Sequence, residues 1–143
     1  MNILFSAAPW WRETGLALLR MIVGFFMIYH GWEIFDAELM NGYLDRDMFK
    51  NSSSGKLMVY AGKGAELVGG ILLFIGLFTK IAALIVILTM AYIAFFVGHG
   101  KVWYEDQHPF LFVLLGLVFI FCGPGNWSVD KLISANSNAN VQM

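Results

Sequence analysis

Long apolar runs separated by short polar breaks dominate the chain, and their lengths predict its elements. Crossing about 30 Å of hydrocarbon takes roughly 20 mostly apolar helical residues. Four stretches approach that length, residues 14–34, 57–78, 81–98 and 103–122, and the third carries no charge at all. The fourth has a short apolar core, 110–122, and needs 103–109 to reach spanning length; a re-entrant or core helix is the alternative. Only Thr79 and Lys80 separate the second and third stretches, which predicts a tight antiparallel hairpin. Between the first two, Leu39, Met40, Tyr43, Leu44 and Met48 fall near helical spacing and predict a short interfacial helix. Gly123-Pro124-Gly125 ends the fourth helix. A short surface helix over 128–133 follows, and residues 135–143 read as a disordered polar tail. The predicted fold class is all-α: an antiparallel, up-down, four-helix membrane bundle occupying residues 1–134.

Composition agrees with a lipid solvent. The 143 residues are 59% hydrophobic and only 13% charged, against about 25% charged in soluble domains. Mean hydropathy is +0.68. A soluble enzyme and a disordered chain are both excluded. The net charge of −1 offers no basic face, so no nucleic-acid partner is expected. A single cysteine, Cys122, excludes an internal disulfide, a CxxC pair and a cysteine zinc site, and no metal site is expected. The N-terminus lacks the basic region of a cleaved signal, and Pro9-Trp10-Trp11 reads as an interfacial anchor. With four spans, Arg12, Lys80 and Lys131 share the face of the termini, and Arg46, Lys50, Lys56 and Lys101 the other. That balance leaves orientation undecided.

The ionisable residues inside the spans are the candidate chemistry, because such groups usually face a bundle interior or a watery cavity. With spans centred near Gly24 and Leu67, Arg20 sits about 5 Å on the terminal side of the midplane and Glu66 within about 3 Å of it. This predicts a buried Arg20–Glu66 pair. Lys63, His30 and Glu33 lie progressively nearer the opposite face, where His99 and Glu105 also end. The expected pocket is therefore Arg20, His30, Lys63, Glu66 and Glu105, with Glu33 and His99 at its mouth. Such a column suits a small amphipathic ligand, a quinone headgroup or a proton path. Two structural readings stand beside it. Arg20–Glu66 would fix helix register, and Lys63, His30 and Glu33 would snorkel to the interface. Gly55, Gly62, Gly69 and Gly76 recur every seven residues and, with Gly70, predict a helix-packing stripe. His99 and His108 flank a loop and read as solvated histidines. Haem held by His30 and His99 fits their depth but nothing else supports it. No phosphate-binding loop, HExxH or Gly-x-Ser-x-Gly motif is present.

The chain resembles the DoxX family of small four-helix membrane proteins. The first helix carries Leu19-Arg20, Gly24 and His30-Gly31, similar to that family's Arg, Gly and His-Gly pattern. Ala65-Glu66-Leu67-Val68-Gly69-Gly70, continuing through Gly76-Leu77-Phe78-Thr79-Lys80, resembles its AELxGG…GLxTR run, with Lys80 where Arg is usual. Glu105 opening the last helix and Gly123-Pro124-Gly125 through Ser128-Val129-Asp130 closing it resemble its GPGxxSLD ending. Glu33 stands in the region where many members carry a basic residue, which makes this mouth more acidic. The resemblance implies a bacterial cytoplasmic-membrane protein associated with redox chemistry, since the family is named for a subunit of a quinone-reducing thiosulfate oxidoreductase. The expected function is thus a membrane subunit of a quinone-linked redox system, with quinone as ligand and a redox enzyme as partner. An assembly or anchoring factor without activity of its own is the alternative. Solute or proton transport ranks last, because four helices leave little room for it without a homodimer.

Overall fold

The computed structural model describes residues 11–141, so Pro9 and Trp10 of the expected anchor lie outside the described residues. Every described element is helical. Helix α1 (Arg12–Gly31) runs into a 3-10 turn at Trp32–Phe35. Two short helices follow, α2 (Ala37–Leu44) and α3 (Asp47–Lys50). Then come α4 (Gly55–Ile75), α5 (Thr79–Tyr92) with a π-turn at Ile93–Val97, α6 (Gln107–Cys122) and α7 (Val129–Val141).

Three of these segments are long and apolar enough to cross a membrane: Arg12–Phe35, Gly55–Ile75 and Thr79–Val97. The fourth expected span starts later than 103. Helix α6 has 16 residues, about 24 Å of rise, and residues 103–106 form a turn instead. Pro109 is the reason. In a helix begun at Trp103 its ring would meet the Glu105 carbonyl and forfeit a hydrogen bond, whereas the first turn of a helix tolerates proline. Asp106 then holds the turn, its Oδ2 accepting from the backbone N–H groups of His99 and Lys101, each at 2.9 Å.

Glycine sets how closely the helices approach. A Cβ on Gly24 would lie 2.6 Å from the Phe74 nitrogen, and one on Gly70 would lie 2.7 Å from that of Ile28. Only bare backbone fits there, so α1 and α4 pack tightly along their length. The core between the helices is Val23, Met27, Leu73, Ala82, Ala83, Val86, Met90, Phe112 and Phe119. A second cluster, Met40, Phe49 and Val59, lies beneath α2 and α3. The expected interfacial segment is therefore two helices that cap one end of the bundle. Asp36 starts α2 by accepting from the N–H groups of Glu38 and Leu39 at 3.0 and 3.1 Å, an N-cap.

The opposite end is closed by polar backbone contacts. Gly76, at φ +70°, terminates α4, and Leu77 N–H returns to Leu72 O. Asp130 on α7 caps α5, accepting from Phe78 N–H at 2.7 Å and Thr79 N–H at 2.8 Å. The expected surface helix over 128–133 is part of α7, which runs to Val141, and the last two residues of the expected tail lie outside the described residues. Ser128 Oγ accepts from Lys131 N–H at its start, and Ser134 Oγ donates to Asp130 O within it. Exposed Trp32, Phe35, Trp103 and Tyr104 ring the capped end, and Trp11, Phe78 and Trp127 the other. That is the distribution expected of interfacial aromatic belts.

Candidate functional site

The predicted Arg20–Glu66 pair does not form. The close approaches match Gly24 with Phe74, Ile28 with Gly70 and Gly31 with Leu67. In that register Arg20 is level with Phe78, and Glu66 with Trp32, about 18 Å apart along the axis. Centring each apolar stretch on a common midplane misplaced the register by seven residues, about 10 Å.

Arg20 is fully buried and points to the terminal end. Its Nε donates to Pro124 O at 2.9 Å and its Nη2 to Trp127 O at 2.9 Å. Its Nη1 donates to Phe74 O at 2.8 Å and also to Leu73 O. These carbonyls belong to the end of α4 and to the turn after α6, so one guanidinium joins three helices. Arg20 is a clasp between helix ends.

The other polar residues do converge, at the capped end. Lys63 Nζ lies 2.8 Å from Glu33 Oε2, 3.0 Å from Glu66 Oε2 and 3.2 Å from His30 O. Tyr43 on α2 donates its hydroxyl to Glu33 Oε2 at 2.6 Å, and His30 Nδ1 lies 3.4 Å from Glu33 Oε1. The Lys63 ammonium also sits 4.8 Å from the centre of the Tyr43 ring. Burial, and then the Glu33 carboxylate, hold the Tyr43 phenol above its ordinary pKa. Glu33 is thus a central member of the cluster, where a mouth position was expected.

All of this cluster but Glu33 lines a cavity of about 250 Å³. His30, Tyr43, Arg46, Lys63, Glu66, Thr89 and His108 supply polar atoms, and Met27, Met58, Met90, Ile93 and Phe112 much of the apolar surface. The His30 and His108 ring centres are 6.0 Å apart. The π-turn brings Ile93 and Val97 to the wall, consistent with the frequent placement of such turns at functional sites.

Of the expected members, Arg20, Glu33, Glu105 and His99 are absent from its lining. Glu105 is exposed and pairs with Lys101 at 3.4 Å. His99 is exposed on the loop that the extended Gly98 starts. Both miss the cavity because α5 ends in the π-turn and α6 begins at Gln107, which leaves them on the intervening loop. His108, read as a solvated loop residue, lines the cavity instead, and so do Tyr43 and Arg46. The sequence held a signal for two of them: Tyr43 falls on the helical spacing of the capping segment, and His108 directly precedes Pro109 in the first turn of α6.

The seven-residue glycine spacing also divides into different roles. Gly69 faces Ile85 of α5, Gly70 faces α1, and Gly55 packs on the Phe49 carbonyl. Gly76 ends α4 against Arg20 and Ser128. Gly62 has open space where a Cβ would stand and lines the cavity, so it is not part of a packing stripe.

Comparisons with known proteins identify the family. The DoxX family model matches residues 15–99. A Haemophilus influenzae protein named "Uncharacterized protein" is 33% identical over 131 residues, covering 85% of this chain and 92% of that protein. A Bacillus subtilis protein named "Putative oxidoreductase CatD" is 35% identical over 78 residues, 54% of this chain and 55% of that one. No solved structure matches. The chain belongs to the DoxX family and is an integral membrane protein.

Proposed function

From its membership of the DoxX family, we propose that this protein is the membrane subunit of a redox system and holds a quinone headgroup in the Lys63–Glu66 cavity. One observation carries the reading. A lysine bound by two carboxylates lines a cavity whose remaining wall is largely apolar. Amphipathic ligands with a flat polar ring and an apolar tail suit such a wall. The volume of about 250 Å³ falls just under the roughly 300–1,000 Å³ of sites that enclose whole drug-sized ligands. It therefore fits a ring-sized headgroup with its tail outside. The relative named as an oxidoreductase supports the redox assignment.

On this reading α6 completes a fourth crossing with the help of the adjoining turn, in a bacterial cytoplasmic membrane. His30, Tyr43 and the Glu33–Lys63–Glu66 chain orient the ring and offer a route for protons. A redox-enzyme partner supplies or removes the electrons.

Purified protein in detergent, heated with ubiquinone and menaquinone analogues, tests it. At least one analogue raises the melting temperature. Gly62→Leu, which projects a side chain into open space, keeps the fold and abolishes that shift. No stabilisation by any quinone, with none co-purifying, rejects the reading. An anchoring role predicts instead that Glu66→Gln lowers partner recovery in step with its own abundance, with no separate loss of electron transfer.

A further inference from the structure

The hydrogen-bonding groups of the cavity wall are unequally engaged. Lys63 has three donors, and three oxygens within 3.2 Å match them. The Tyr43 hydroxyl donates to Glu33. Arg46 is exposed and stands 5.2 Å from the centre of the Tyr43 ring. The imidazoles of His30 and His108 and the Thr89 hydroxyl can donate or accept, so they do not discriminate between ligands.

Glu66 is different. Its side chain is only 3% exposed and lines the cavity. Its Oε2 holds Lys63, while its Oε1 has no hydrogen-bond partner among the described residues. Paired through Oε2 with the Lys63 ammonium at 3.0 Å, Glu66 offers a carboxylate oxygen, which only accepts. A ligand carbonyl placed against it sets two acceptors together; a ligand hydroxyl makes a charge-assisted hydrogen bond.

Resting on the function proposed above, we infer that the cavity selects the hydroxyl-bearing, reduced form of a quinoid ring over its carbonyl form. Glu66 Oε1 is the acceptor. Lys63 is a positioning residue that holds this carboxylate in place without contacting the ligand. The selectivity is one of binding alone, and no bond is made or broken.

Three probes with the same alkyl chain test it: a benzoquinone, its hydroquinol and the hydroquinol dimethyl ether. Each is titrated anaerobically by calorimetry into the full-length protein in detergent. The hydroquinol binds at least about tenfold more tightly than either of the others. In Glu66→Gln, whose amide can donate as well as accept, the ratio falls below about threefold. Should that variant fail to fold, the three affinities of the unaltered protein decide the matter. A benzoquinone or dimethyl ether that binds as tightly as the hydroquinol overturns the selectivity and leaves the quinone site standing. Failure of all three to bind overturns both.

Discussion

Arg20 and Lys63 are both cations inside a bundle that has few charges, and the protein accommodates them in opposite ways. Arg20 is fully buried and its hydrogen bonds all end on backbone carbonyls. Lys63 is 11% exposed, is bound by two carboxylates and lines a cavity. A guanidinium presents five donors in a planar fork and can gather several carbonyls at once. An ammonium is a point charge with three donors, and two side-chain carboxylates complete its surroundings. The first arrangement joins helix ends. The second holds a carboxylate, Glu66, beside an open space. A buried charge is thus evidence for a functional site only when its partners leave room for something else.

Removing Arg20 breaks the comparison most severely. Arg20→Leu removes the guanidinium's donors from four backbone carbonyls at the junction of three helices and costs more than about 3 kcal/mol. Arg20→Lys does not restore it, since three donors cannot serve four acceptors on two separate segments. Loss of folded protein in both variants, read by size-exclusion profile and thermal melting, is the expected outcome. A stable Arg20→Leu protein contradicts the clasp.

Lys63→Met comes next. It leaves Glu33 and Glu66 facing one another without their cation and costs about 3 kcal/mol. Adding Glu66→Gln recovers at least half of that in a double-mutant cycle, because one of the two orphaned charges is gone. Independent, additive effects in the melting temperatures mean that the two residues do not act as a pair.

Tyr43→Phe is the gentlest probe and carries a pH signature. It removes one hydrogen bond to Glu33 and costs about 1 kcal/mol at neutral pH. The folded phenol has a raised pKa from burial and from Glu33. Its contribution is therefore fully present below the unfolded value of about 10 and is lost as pH rises through the folded value. Melting curves of the two proteins between neutral and strongly alkaline pH should converge at the top of the range. A constant difference throughout removes Tyr43 from the cluster.

Much of the fold was legible because it follows from local sequence. The apolar stretches located α1, α4 and α5, the two-residue gap located their hairpin, and helical spacing around Tyr43 located the cap. At the site, Lys63, Glu66, His30 and Glu33 were recognisable as ionisable residues within apolar spans. Their association on one side of the bundle follows from rise per residue alone. Glu105 and His99 were misplaced because helix ends depend on features that hydropathy does not weigh, Pro109 and the π-turn at Ile93–Val97.

By itself, then, the sequence determined the solvent, the helical class and which side chains were costly enough to need partners. Only the tertiary structure decided which partners those were. Helix register is set by where bare backbone can approach bare backbone, at Gly24, Gly31 and Gly70. An apolar stretch can slide by two turns without changing its mean hydropathy, so periodicity leaves that register open. A shift of about 10 Å separates an Arg20–Glu66 pair from the clasp and the cavity that the protein contains.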